Sequence, residues 1–169
     1  ILAISLQDEE TMALAGKPFV KAVNPVSAEM AALRTSLVPS TLRIVQHNRN
    51  HGMKTLRIFE IGNIFQLNEG GARNLLDAYR EEERLLLVLN GNYAATGYGS
   101  IGRQVDLLDI KGEVIALLSK FCLDNYRFIY YDNHEALSEL CVGIEINSTY
   151  AGFFGKVRKQ ITDKLGIDE

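Results

Sequence analysis

The sequence predicts an α+β fold, a mainly antiparallel sheet flanked by helices. Two observations predict it. Strand-like and helix-like segments alternate irregularly, in the rough order β-α-β-α-α-β-β-α-β-β-β-α. Neighbouring strand segments are joined by turn dipeptides and short polar links, which favours antiparallel pairing of near neighbours. The 169 residues suffice for a respectable core, and residues 1–169 read as a single domain.

Residues 1–6 carry an apolar run (Ile1, Leu2, Ala3, Ile4) and read as a strand. The run starts without Met, as a strand cut at its start would, so a fragment of a longer protein is expected. Asp8-Glu9-Glu10 opens a short helix through Ala15, with acids in the first turn where the helix dipole favours them. Gly16-Lys17-Pro18 breaks it, and Phe19 to Val23 reads as a short strand. Asn24-Pro25 is a turn dipeptide, because Pro pushes its predecessor out of the α region. Ser27 can cap a helix over Ala28 to Leu33. Ser36 can cap a second helix to about Asn48, with Pro39 in its first turn. Val38, Leu42 and Val45 are spaced for one buried face, and His51-Gly52 ends the helix. Leu56 to Leu67, rich in Ile and Phe, reads as a long strand.

The polar segment Asn68 to Arg84 reads as a solvated hairpin tip, and Leu85 to Leu89 as a strand buried on both faces. Residues 92–104 form a loop whose Gly97, Gly99 and Gly102 superficially fit GxGxxG. A dinucleotide fingerprint needs a helix at once, and none starts before about Asp106. Asp106 then caps the cleanest helix, with Leu107, Ile110, Val114, Leu117, Leu118 and Phe121 on one face and Asp109, Glu113 and Lys120 opposite. Tyr126 to Tyr131 is an aromatic strand, and Asp132-Asn133-His134 a turn. Cys141 to Ile146 and Tyr150 to Val157 form a hairpin over Asn147-Ser148-Thr149, and a last helix from about Lys159 to Leu165 ends at Gly166.

Three runs resemble one family. They are Asn24-Pro25-Val26-Ser27, Leu33-Arg34-Thr35-Ser36-Leu37-Val38-Pro39-Ser40 and Leu56-Arg57-Ile58-Phe59-Glu60-Ile61-Gly62-Asn63-Ile64-Phe65. In that order they are similar to the beta subunit of bacterial phenylalanyl-tRNA synthetase, with Val26 for the usual Leu and Ser40 for the usual Gly. Asp106-Leu107-Leu108-Asp109-Ile110-Lys111-Gly112 resembles a second family run. The family's Gly-x-x-Gly before His-Pro is met by Gly152 and Gly155, but Arg158-Lys159 replaces His-Pro. Family members commonly carry a Trp upstream of the second run; this chain has none. The resemblance covers about residues 1–165 and implies a class II synthetase core in its catalytic-like beta-subunit form.

Adenylation by that fold needs cations around the ATP phosphates, where charge develops in the transition state. In the catalytic alpha subunit an Arg follows the aromatic residue ending the second-motif strand. Gly62-Asn63-Ile64-Phe65 parallels that strand, and Gln66, a neutral amide, stands where the cation would be. The Gly-Leu-Gly-x-x-x-Arg signature is absent too. The resemblance therefore implies a non-catalytic scaffold, with no catalytic, cofactor or metal residues of its own. It implies ATP and Mg²⁺ for the full enzyme, an alpha-subunit partner in a two-alpha, two-beta assembly, and tRNA(Phe). The helices of residues 24–50 are expected to form part of the subunit interface.

Other readings come from the residues alone. Glu60 lies between Phe59 and Ile61 in a strand apolar on both faces, so a cation must pair with it; Arg34 or Arg57 is the expected partner, in a structural bridge. Thr41 to Phe59 is basic, with Arg43, His47, Arg49, His51, Lys54 and Arg57 and no acid. Arg43, His47, Arg49 and Lys54 are candidates for subunit or tRNA contact, against a plain solvated helix and turn. His47 and His51 have the i, i+4 spacing of a metal pair, but HExxH is missing and no further ligand type follows before Glu60, so they read as exposed or interface histidines. The net charge of −3 does not by itself advertise nucleic acid. No apolar run approaches the ~20 residues that span a bilayer. Cys122 and Cys141, far apart and outside any CxxC, read as two buried free thiols in a reducing, cytoplasmic setting. The alternatives are an adenylating enzyme with a phosphate-binding Arg in a pocket over the Leu56–Phe65 and Leu85–Leu89 strands, or an unrelated α+β interaction module.

Overall fold

A computed structural model describes residues 1–68, 78–93, 102–131 and 138–167. Within them the fold is α+β, with antiparallel sheets and four α-helices. The chain divides into two compact units. One comprises Ile1–Gly52 with Ile58–Leu87, the other Met53–Arg57 with Val88–Glu169.

In the first unit, β1 (Leu6–Gln7) pairs antiparallel with β2 (Ala32–Leu33), Leu6 opposite Leu33. The expected strand over residues 1–6 shrinks to this pair, because Ala3 N turns away to Glu60 Oε1 at 3.3 Å. Asp8 caps α1 (Glu9–Ala13), its carboxylate accepting from Thr11 N at 2.7 Å. The expected Phe19–Val23 strand is a single bridge, Lys21 with Ala32. The helix expected over Ala28 to Leu33 is one 3₁₀ turn, Ala28–Met30, because Ala32 and Leu33 bond to strand partners instead. Ser27 makes no side-chain cap there.

α2 (Val38–Asn50) carries Pro39 in its first turn and stops at His51. Ser36 Oγ accepts from Val38 N at 3.2 Å, one residue ahead of the capping position at Leu37. Leu42 and Val45 are buried and Val38 is half-buried. The helix also buries three residues that its apolar spacing does not flag: Pro39, Ser40 and Thr41. Ser40 and Thr41 hydroxyls satisfy themselves on the Leu37 carbonyl, at 3.1 and 3.0 Å.

β3 (Leu56–Leu67) pairs with β4 (Tyr79–Asn90), which begins well before the apolar run. Contacts run in opposite directions along the pair, from Asn68 with Ala78 to Asn63 with Glu81, so it is antiparallel. Tyr79 to Arg84, expected in a polar tip, is strand; the rest of that tip, and the glycines of residues 94–101, lie outside the described residues. Leu85 is 45% exposed and Leu86 to Leu89 are half-buried, so this strand is not covered on both faces.

The second unit holds α3 (Leu107–Lys120) against an antiparallel sheet of β5 (Tyr126–Tyr130), β6 (Ser138–Ile146) and β7 (Thr149–Val157), in that spatial order. Asp106 forms a full capping box with Asp109. Val114 and Leu118 of α3 bury against Phe154, with Tyr126, Phe128, Val142, Ile144 and Ile146 packed around them. Phe128 and Phe154 meet edge to face at 5.5 Å. Each large side chain so buried contributes about 1.5–3 kcal/mol. Phe121, expected on this face, is 67% exposed because it lies one position past the last turn. Cys122 beside it is exposed in a left-handed conformation, φ 55°, and only Cys141 is a buried thiol.

The β6–β7 turn is Asn147-Ser148, both with positive φ, which matches the strand twist. Gly155 sits opposite a register shift at Ser138/Leu140, where a Cβ would overlap the Leu140 carbonyl. Gly152 has open space, so of this glycine pair only Gly155 has a steric reason. α4 (Lys159–Lys164) follows.

Candidate functional site

The most constrained polar group is buried in the first unit. Arg34 leaves β2 and Glu60 points inward from β3; they are 2% and 0% exposed. Arg34 Nη1 donates to Glu60 Oε1 at 2.6 Å and Arg34 Nε donates to the Asn63 carbonyl at 2.8 Å. Glu60 Oε2 lies 3.4 Å from Thr41 Oγ1, whose proton is better used on the Leu37 carbonyl at 3.0 Å. The strand makes room for this by omitting a side chain: a Cβ on Gly62 would overlap the Arg34 guanidinium. The Phe65 amide donates to the Arg34 carbonyl at 2.8 Å, tying the same residue to β3 through its backbone. With its charge matched, this arginine is a tether between β2 and β3.

Arg57 lies elsewhere, in the second unit. It is exposed, donates to the Tyr93 carbonyl at 2.7 Å, and stands 3.4 Å from Glu113. Glu60 therefore takes Arg34 as its cation and not Arg57. Arg103 packs over the Tyr93 ring at 4.3 Å and grips Asp109 with two 2.6 Å bonds. Those bonds hold the Asp109 carboxyl at about 2; burial opposes them, and the Asp106 amide assists. Asp109, expected on the polar face of α3, is thus nearly buried. The sequence signal that could have found it is Arg103 itself, two charges six residues apart across a helix start.

The basic stretch is spread over α2 and the following turn. Arg43 is half-buried and engaged with Thr11, Gln46 and Glu10. Arg49 is half-buried, while His47, His51 and Lys54 are exposed. Arg43 and His47 line an open cleft of about 320 Å³ beside Ala3, Ile4 and Ile44. Gln66 is half-buried on β3. No group of three or more metal-ligating side chains occurs among the described residues. Within those residues, too, no helix is long and apolar enough to cross a membrane.

The outward face of the β3–β4 pair carries large apolar side chains beside the polar Asn63, Glu81 and Glu83. The Asn63 and Glu81 side chains bond to each other at 2.5 Å, so these two odd-numbered positions share a face. Strand alternation adds Phe59, Ile61, Leu67, Tyr79 and Leu85 to it. They are 60, 54, 43, 43 and 45% exposed. Sequence reading missed this face because it took Leu85 to Leu89 as buried on both faces, Leu56 to Leu67 as apolar on both faces, and Tyr79 as part of a polar tip.

Fold and site together define an α+β domain in which the buried cation Arg34 serves the protein's own framework and the β3–β4 ribbon exposes a row of large apolar side chains. The chain belongs to the phenylalanyl tRNA synthetase beta chain CLM domain family, whose model matches residues 1–169. It is 44% identical over 101 residues to a phenylalanine–tRNA ligase beta subunit of Salinibacter ruber, covering 60% of this chain and 12% of the relative. The same-named subunit of Chlorobaculum tepidum is 33% identical over 162 residues, with 89% and 19% coverage. That of Chlorobium luteolum is 30% identical over 175 residues, with 100% and 22% coverage. The chain thus spans about a fifth or less of the length of these relatives.

Proposed function

We propose that this chain is a non-catalytic domain of a phenylalanine–tRNA ligase beta subunit, with a class II synthetase core-like frame. It supports association with the alpha subunit and helps position tRNA(Phe) for aminoacylation in the cytoplasm. ATP and Mg²⁺ act in the full enzyme and not in this domain. The observation carrying this reading is the apolar row on the β3–β4 face: five large apolar side chains left roughly half exposed form a surface that water disfavours and a protein partner would cover. Arg34 supports the non-catalytic part, since a guanidinium matched by Glu60 inside the fold does not grip a phosphate.

The test is co-purification of the complete beta subunit with the alpha subunit. Phe59→Glu with Ile61→Glu should abolish co-purification while leaving the circular dichroism spectrum of the beta subunit unchanged. Full retention of the complex refutes the assignment of this face. Incubating the domain with ATP, phenylalanine and Mg²⁺ should give no pyrophosphate exchange, and sustained exchange would sink the non-catalytic reading.

A further inference from the structure

The last turn of α2 carries two imidazoles, and their arrangement contains more than their spacing. His47 and His51 are one turn apart on one helix face. Their ring centroids are 4.3 Å apart, with planes tilted by 37°. Both rings are exposed. His51 Nδ1 lies 2.7 Å from the His47 carbonyl oxygen. A carbonyl only accepts, so Nδ1 carries the proton and donates it, and the lone pair of His51 is left on Nε2. A backbone carbonyl that fixes the tautomer and aim of an imidazole is the usual outer support of a metal-binding histidine.

The surrounding charges act both ways: Arg49 in the same last turn and Lys54 just past it are positive and oppose a cation, while two features offset them. The negative end of the α2 dipole is here, at the helix C-terminus. Arg43, one turn before His47, has its guanidinium engaged by Glu10, Thr11 and Gln46, so part of its charge is already matched. The geometry points to a two-imidazole surface site for a divalent cation of borderline softness, Ni²⁺, Cu²⁺ or Zn²⁺, with water completing the coordination. His51 binds through Nε2 with its ring held by the His47 carbonyl, and rotation of the His47 side chain brings one of its nitrogens onto the same ion. Because the ligands come from the last helical turn and its cap, the bound ion also clamps the end of α2 against fraying.

The test is calorimetric titration of the chain with Ni²⁺, in a Cys122→Ser background so that the exposed thiol does not compete. One equivalent should bind. His47→Ala and His51→Ala should each lower the affinity by a factor on the order of ten or more, the change that even outer-support losses produce at metal sites. A second measurement needs no histidine substitution: paramagnetic Ni²⁺ should broaden the ring proton resonances of both His47 and His51 at substoichiometric addition. Ni²⁺ should also raise the unfolding temperature of the chain and leave that of the His47→Ala variant where it was. Undiminished affinity in either variant, broadening confined to one ring, or no binding at all overturns the site.

Discussion

Replacing Glu60 by Ala leaves the Arg34 guanidinium, 2% exposed, without the carboxylate oxygen 2.6 Å away. Loss of one member of a buried ion pair costs about 3–5 kcal/mol, mostly because the other charge stays behind unmatched. Whole domains of this size are stable by about 5–15 kcal/mol, so the variant retains a fraction of its stability. With a denaturant slope of about 1–3 kcal/mol per molar urea, a loss near 3 kcal/mol moves the unfolding midpoint down by about 1–3 M. Arg34→Met alone is also costly, since it strands Glu60 and frees the Asn63 carbonyl from its 2.8 Å bond. The double variant Arg34→Met with Glu60→Ala should lose at least about 2 kcal/mol less than the two single losses added together. Urea unfolding followed by circular dichroism reads all three. Additive losses, or a Glu60→Ala midpoint equal to that of the parent, refute the view that these two charges depend on each other inside the fold.

Gly62→Ala should destabilise by about 1–3 kcal/mol although only a methyl group is added, because that methyl overlaps the Arg34 guanidinium. The same substitution at Gly152, which has open space around it, is the matched control in urea unfolding. Asp109 gives a pH prediction. Its carboxyl is held at about 2 in the fold, below the 3.8 of a free Asp, so its contribution is fully present above pH 4 and is lost as pH falls toward 2. The melting temperature should drop more steeply between pH 4 and pH 2 in the parent than in Asp109→Asn; parallel curves would count against the Arg103 grip.

Elements with a strong local signal were legible in the sequence. β3 occupies Leu56 to Leu67 because a dense run of Ile and Phe has no helical period, and α3 begins where Asp106 can cap it. Segments whose state depends on a distant partner were not. Ala28 to Leu33 has helix propensity, but Ala32 and Leu33 are drawn into pairing with β1. Tyr79 to Arg84 is too polar to announce a strand, and becomes one because β3 lies beside it. Glu60 was visible as a charge in an apolar strand that demanded a cation. Which of Arg34 and Arg57 supplied it was not, because that choice is made by how the residue just past β2 docks on β3, through the Phe65 amide and the Arg34 carbonyl, rather than by sequence distance. The exposed row of Phe59, Ile61 and Leu85 was hidden for a simple reason: composition tells apolar from polar, but not covered from uncovered.

The two compact units alternate along the sequence. Met53–Arg57 belongs with Val88–Glu169, yet Ile58–Leu87, which belongs with the first unit, is synthesised in between. A ribosome making about 5–20 residues per second delivers Arg57 seconds before Tyr93 and Glu113, the groups it will hold. Five residues must therefore wait while the remaining thirty of the first unit, Ile58–Leu87, are made. No single cut in the polypeptide releases either unit whole, and a gene fragment beginning at Val88 would encode a body missing its first strand segment.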